Sequence, residues 1–360
     1  MDQQLELESK RKEIAREILS FKRKTAPALT IEIFGKLLPR KLSDGSFTYW
    51  ILIVVMLNLA MWVPGLLVSS FLGEPRWDTN IWFSWFIGVQ TCMSALLVSS
   101  FALQNLFDEL ATRVVSKIIN RQDLDEFLQW VYSSWSIKKI IGVVIMYCGL
   151  WTFLGVWGIS KIRGGFVGVG PTTTAAIGGI LLGISVNYLI WLIFLSQKLA
   201  GYSYDLNVVL PARSEIINVL TNMFNKHLYI TSGFFGIATL VVSFIKITNA
   251  VFPLILLGWL VIILQFLFNR NAINKIIDTV KWITLNNLQE QVNHLMKSQD
   301  LSEKESAEKL SRLTEIYERI VTSRTNTFDL KSLTTFTSQL MLPLLGLLLG
   351  NLDKVIALLR

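Results

Sequence analysis

Charge is scarce in this chain. Asp, Glu, Lys and Arg make up 17% of its 360 residues, against roughly a quarter in an average soluble domain. Residues 79–107, 140–160, 164–197, 227–245 and 247–269 contain none of the four, and 49–75 carries Glu74 alone. A water-facing surface cannot be built from such segments, which excludes a set of ordinary soluble domains. Cysteine and histidine are equally sparse, with two of each. Cys92 and Cys148 stand 56 residues apart inside apolar runs, so neither a disulfide framework nor a CxxC redox or zinc motif is available. His227 and His294 lie in no HExxH, triad or His-rich pattern, and no Walker loop or dinucleotide fingerprint is present. Enzymatic chemistry, a cofactor and a bound metal are therefore not expected.

What is present is apolar length. A helix of about 20 apolar residues crosses a hydrocarbon core of roughly 30 Å. The expected fold is an all-α, polytopic integral membrane protein with about six transmembrane helices and cytoplasmic amphipathic helices. A possible seventh, C-terminal or re-entrant segment adds to these. The order is a basic N-terminal region (1–48), a first transmembrane hairpin (49–107), a helical hairpin outside the bilayer (108–138) and a second transmembrane hairpin (139–197). A connector (198–227), a third transmembrane hairpin (228–269), a helical tail (270–331) and an apolar segment (332–360) complete it. Residues 332–352 lack charge, but only 340–349 are strongly apolar, which favours a dip into the inner leaflet over a full span. The polar first 48 residues do not read as a cleavable signal peptide.

Orientation follows from the bases. Residues 1–48, 108–139, 198–226 and 270–331 hold 28 Lys and Arg, whereas the opposite loops hold four: Arg76, Lys161, Arg163 and Lys246. The positive-inside rule places the N-terminus and the basic flanks in the cytoplasm, in a cell (inner) membrane. The net charge of +8 suits an anionic leaflet. Bases scattered along helices, without interleaved aromatics, give no support to nucleic-acid binding. Tyr49, Trp50, Trp82, Trp85, Trp157, Trp191 and Tyr229 are placed to form interfacial girdles.

Outside the spans, Leu7, Ile14, Ile18 and Phe21 share one face of a helix over 3–24, with Glu6/Lys10 and Glu8/Lys12 spaced for i,i+4 pairs. This face suits the membrane surface or a partner helix. Leu106, Leu110, Val114 and Ile118, then Leu124, Phe127, Leu128 and Val131, mark a hairpin broken at Asn120–Asp123. In the tail, Ile273 to Leu295 and Leu310 to Ile320 keep a helical period, with Ser302 and Glu305 as a capping box between them, and predict two antiparallel helices.

The interior candidates are neutral. Asn58, Gln90 and Asn187 each lie nine or ten residues from the end of a span, roughly 14–15 Å deep and close to the bilayer centre. They read as interhelical hydrogen-bonding groups or as a pore-lining polar ring in an oligomer. Gly179 and Gly183 form a GxxxG pair, and Gly142 and Gly149 share a face at heptad spacing; both are helix-packing candidates. Pro64 and Pro253 are candidate hinges. The glycine-rich run 164–170 lacks the pore helix and opening threonine of a potassium filter and reads as an external turn.

No ionisable group sits in the core of a span, which disfavours a proton- or ion-driven carrier. The expected function is an oligomeric channel-like or pore-forming membrane protein, conducting an ion or small solute passively and gated or assembled through its cytoplasmic helices. The alternative is a membrane-embedded scaffold or signalling subunit that recruits a cytoplasmic partner. Expected partners are membrane lipids, further copies of the chain and a cytoplasmic protein, with no nucleic acid. A third reading gives Asp108, Glu109, Asp205 and Arg213 a role on lipid headgroups, although no spacing sets them apart from solvated charge.

Overall fold

The computed structural model describes residues 2–38, 46–75, 77, 79–163, 167–207, 211–243, 248–298 and 304–322, together with single positions 334, 337, 338, 341 and 345. Ten α-helices carry the described chain: α1 (Asp2–Phe21), α2 (Ala26–Lys36), α3 (Phe47–Phe71), α4 (Thr79–Glu109), α5 (Arg121–Ser134), α6 (Ile137–Arg163), α7 (Val169–Leu199), α8 (Glu215–Ser243), α9 (Thr248–Ser298) and α10 (Lys304–Thr322). Extended pairing among these residues is limited to an isolated bridge between Ile118 and Tyr204. The all-helical expectation holds.

Five stretches are long and apolar enough to cross a membrane: Phe47–Phe71, Trp85–Lys117, Ile137–Trp157, Val169–Leu199 and Gly258–Lys297. The expected span over 228–247 is not among them. Its helix, α8, begins with a polar half and is described as far as Ser243, which leaves sixteen residues from 228 against the roughly 20 a span needs. Residues 244–247 lie outside the described residues, as do the capping Ser302 and most of 332–360. At one position of that segment, the Tyr229 hydroxyl lies 3.3 Å from Ser338 Oγ.

Helix α7 is the axis of the bundle and packs on α3, α4, α6 and α9. Its small residues explain why. A Cβ added to Gly179 would lie 2.7 Å from the Cys148 Cα, and one added to Gly183 would lie 2.8 Å from the Val144 Cα, so α6 and α7 touch backbone to backbone. Gly65 of α3 meets Thr174 and the Gly170 carbonyl in the same way. Gly142 and Gly149, expected to pack α6 on α7 or on another subunit, do not meet α7: among the described residues nothing lies within 4 Å of a Cβ at either. They sit on the far side of α6 from Val144 and Cys148, the residues that meet the α7 glycines.

The charged end has the largest core. Ile14, Ile18 and Phe21 of α1 pack against Leu106, Phe107 and Leu110 of α4 and Leu124, Phe127 and Val131 of α5. The amphipathic face of the N-terminal helix is thus covered by its own chain. The expected hairpin over 106–135 takes another form: α4 runs unbroken to Glu109, widens into a π turn over Leu110–Val114 and tightens into a 3₁₀ turn over Val115–Lys117. The chain is extended at Ile118, whose carbonyl accepts from Arg11 Nε (2.9 Å) and Nη2 (2.7 Å). Asn120 then caps α5 by accepting from the Gln122 N–H. Docking also redirects the i,i+4 pairs: Lys10 reaches Asp125 at 3.0 Å and Glu6 pairs with Arg121. Trp191, expected in an interfacial girdle, is buried here and stacks on Phe107 at 5.3 Å.

Helix α9 is continuous for 51 residues, about 76 Å at 1.5 Å per residue. It first runs against α8, with Gly258 under the Phe235 ring and Leu228 packed with Ile262 and Phe266. Farther along, α10 lies antiparallel on it through Leu285, Leu288, Leu313 and Ile320, and Lys281 Nζ donates to the Val321 carbonyl.

Candidate functional site

The three amides separate into a pair and a singlet. Gln90 Nε2 donates to Asn58 Oδ1 at 2.6 Å, joining α4 to α3. Asn58 Nδ2 donates to the Val54 carbonyl at 2.9 Å and contacts Met93 Sδ at 3.1 Å. Asn187 turns to its own helix, and its Nδ2 donates to the Gly183 carbonyl at 2.8 Å. The structure therefore brings Asn58 and Gln90 together within one chain and leaves Asn187 apart. Pro64 lies inside a continuous α3, one residue before the Gly65 contact with α7. Pro253 lies in α9, and its side-chain surroundings are outside the described residues.

A second polar group was not legible as a cluster. The Tyr188 hydroxyl bonds His227 Nδ1 at 2.7 Å, and His227 is fully buried. Among the described residues, His227 Nε2, Ser232 Oγ, both amide atoms of Gln265 and Asn269 Oδ1 are buried without a hydrogen-bond partner. Gln265 and Asn269 are one helical turn apart on the buried side of α9, just ahead of the buried Arg270. Their i,i+4 spacing at the end of an uncharged run was the available signal. An unpaired buried polar group costs about 1–3 kcal/mol, so α8 and α9 hold unspent hydrogen-bonding capacity.

Next to this group a cleft of about 260 Å³ opens between α4, α6, α7, α8 and α9. Tyr147 and Trp151 come from α6, Leu182 and Ile193 from α7, and Ile230 and Phe234 from α8. None of the described lining residues is charged. The lining hydroxyls of Thr91, Ser185, Thr231 and Thr239 each donate to a carbonyl four residues back, at 2.7–2.9 Å.

The two ends of the bundle are held electrostatically. Beyond α3, Glu74 caps α7: its carboxylate accepts from the backbone N–H of Val169 and of Gly170 (3.1 Å) and from Ser69 Oγ at 2.7 Å. Burial alone would raise its pKa, but the Ser69 and backbone hydrogen bonds outweigh that and hold the carboxyl below its ordinary value of 4.5. Gly168 permits the approach with a φ of +109°, and a side chain there would run into Glu74. At the other end Lys22 grips Asp108 at 2.7 Å and Lys226 reaches Glu109 at 2.6 Å. Asp108 and Glu109, two of the three carboxylates considered for headgroup chemistry, are thus ion-paired within the chain. Asp205 donates its backbone N–H to the Lys117 carbonyl, and Arg213 lies in the short turn Pro211–Arg213.

This arrangement can bury apolar matter between packed helices. No protein-family model matches the chain, and comparisons with curated proteins and with solved structures gave no significant match.

Proposed function

We propose that this chain is a multi-pass protein of the cell (inner) membrane, with a cytoplasmic N-terminus, that assembles with copies of itself into a passive, channel-like conduit gated or held together by its cytoplasmic helices. The observation that carries the reading is the α9–α10 hairpin. Trp282 and Ile283 are 65% and 54% exposed there, about 20 Å of helix beyond the last residue of the uncharged run. Arg270, Lys275, Asp278 and Lys281 separate them from that run, so we read them as lying outside the bilayer, where large apolar side chains side by side mark an assembly surface. The spans have uncharged cores, which suits passive conduction rather than coupled transport. Because Asn58 and Gln90 satisfy each other inside one chain, the conduit belongs between copies. The open face of α6 at Gly142 and Gly149 offers a second place of approach.

Cross-linking in native membranes with planar-bilayer recording tests this. The expected result is a ladder of cross-linked multimers, a conductance, and loss of both in Trp282→Asp. A monomeric, electrically silent protein overturns the reading.

The second reading, a scaffold or signalling subunit that recruits a cytoplasmic protein, rests on the same exposed patch. Trp282→Asp separates the two. Loss of a bound partner with conductance intact favours the scaffold, and loss of conductance favours a gate.

A further inference from the structure

The cleft between α4, α6, α7, α8 and α9 supports a separate conclusion: we infer that it is the binding site for one acyl chain of a bilayer lipid. The inference rests on the bilayer reading above and is independent of assembly and conduction.

Shape is the first argument. The lining runs from Leu182 to Ile193 along α7 and from Ile230 to Thr239 along α8, which makes the cleft about 14–16 Å long and parallel to the helices. The cleft is elongated, with about 260 Å³ spread along that length, a shape that an extended hydrocarbon chain follows.

Chemistry is the second. A polar ligand needs donors and acceptors aimed at it, but Thr91, Ser99, Ser185, Thr231 and Thr239 each donate to a carbonyl of their own helix. Tyr188 is occupied with His227, which leaves Tyr147 and Trp151 as the other donors of the described lining. None of the described lining residues carries a charge to hold a headgroup or an ion. An alkyl chain asks for none of these, and it fills an apolar space that water leaves dry.

Access is the third. Tyr147, Val186, Ile190 and Ala238 of the lining are half-buried, so the cleft opens sideways through the flank of the bundle. In a bilayer that flank meets lipid tails, and the occupant enters without crossing water.

The test uses the full chain in nanodiscs of phosphatidylcholine with a diazirine at mid-chain, photolysed and mapped by mass spectrometry. Labels are expected on Tyr147, Ile190 and Ala238 as well as on the outward-facing Ile145, Phe153 and Ile237. In Ala238→Phe the lining labels fall about tenfold and the outward labels stay constant. Ser99→Leu fills the cleft from α4 and carries the test where the first variant loses its helical circular dichroism or monodisperse elution. Lining labels that are absent, or unchanged in the folded variants, overturn the site. So does saturable fluorescence of 1-aminoanthracene that filling abolishes while lipid labelling persists, because the cleft then takes compact aromatics instead. Carbonate washing of membranes is read separately: release of the chain overturns the bilayer reading, whereas retention without lining labels overturns the site alone.

Discussion

Helix α7 meets α6 on one side and looks across the cleft to α8 on another, and the two sides are built on opposite plans. Toward α6, glycines at 179 and 183 bring the backbones together, and no space is left between them. Toward α8 the neighbours are large, Tyr188, Ile190 and Ile193 facing Ile230 and Phe234, and the helices stand apart around a cleft. The buried amide of Gln265 in α9 has no partner among the described residues. Between helices surrounded by lipid there is little hydrophobic drive, so close approach of small residues does most of the joining. Where large side chains face each other across α7 and α8, space is left between the helices.

The comparison can be broken most severely on the tight side. Gly179→Leu puts a branched side chain into the Cys148 backbone and is expected to cost about 3 kcal/mol, read as a large drop in thermal midpoint or failure to accumulate. Gly142→Leu and Gly149→Leu, on the open face, should stay within about 0.5 kcal/mol of the parent as monomers, and loss of multimers in these variants would locate a subunit contact.

On the loose side the expected sign reverses. Gln265→Leu removes an unpaired buried amide and should raise the thermal midpoint, by an equivalent of about 1 kcal/mol or more. A fall instead would show that the amide has a partner in the working protein. Gln90→Leu breaks a satisfied pair and should destabilise by roughly 0.6–1.7 kcal/mol, so the two amide variants measured together sharpen the contrast.

Glu74 gives a smaller, pH-dependent effect. Its pKa in the folded protein lies below the ordinary 4.5, so its stabilising contribution is complete above that value and is lost as pH falls through the folded value. The thermal midpoint of the parent should therefore drop on acidification below pH 4.5. Glu74→Gln should lack that drop and begin a few degrees lower at neutral pH. Least of all, Lys198→Ala breaks a surface pair with Glu126 of 3.4 Å and should change the midpoint by the equivalent of about 0.5 kcal/mol or less.

Much of the architecture was legible one residue at a time. Uncharged runs located five of the long apolar helices, and the stripe Leu106, Leu110, Val114 and Ile118 proved buried throughout. What such a stripe could not disclose was its covering: Ile14 and Ile18 come from a helix some 90 residues earlier. The same limit applies to the amides. Depth along each helix placed Asn58, Gln90 and Asn187 at one level, yet depth says nothing of azimuth, and rotation about the helix axis decided that two would meet and one would not. Glu74 stood out in the sequence as the lone acid of its segment, but its place at the start of α7 depends on a turn 95 residues away.

By itself, then, the sequence determined what each segment is: the period of apolar residues and the lack of charge are local properties, and they dictate helix and preference for an apolar surround. The tertiary structure decided which faces touch. Whether Gly142 or Gly179 lies at a contact, whether Trp191 meets an interface or a core, and whether a cleft remains between α7 and α8 all depend on the rotation and spacing of whole helices. Those are set jointly by every side chain between them and can be read from no single one.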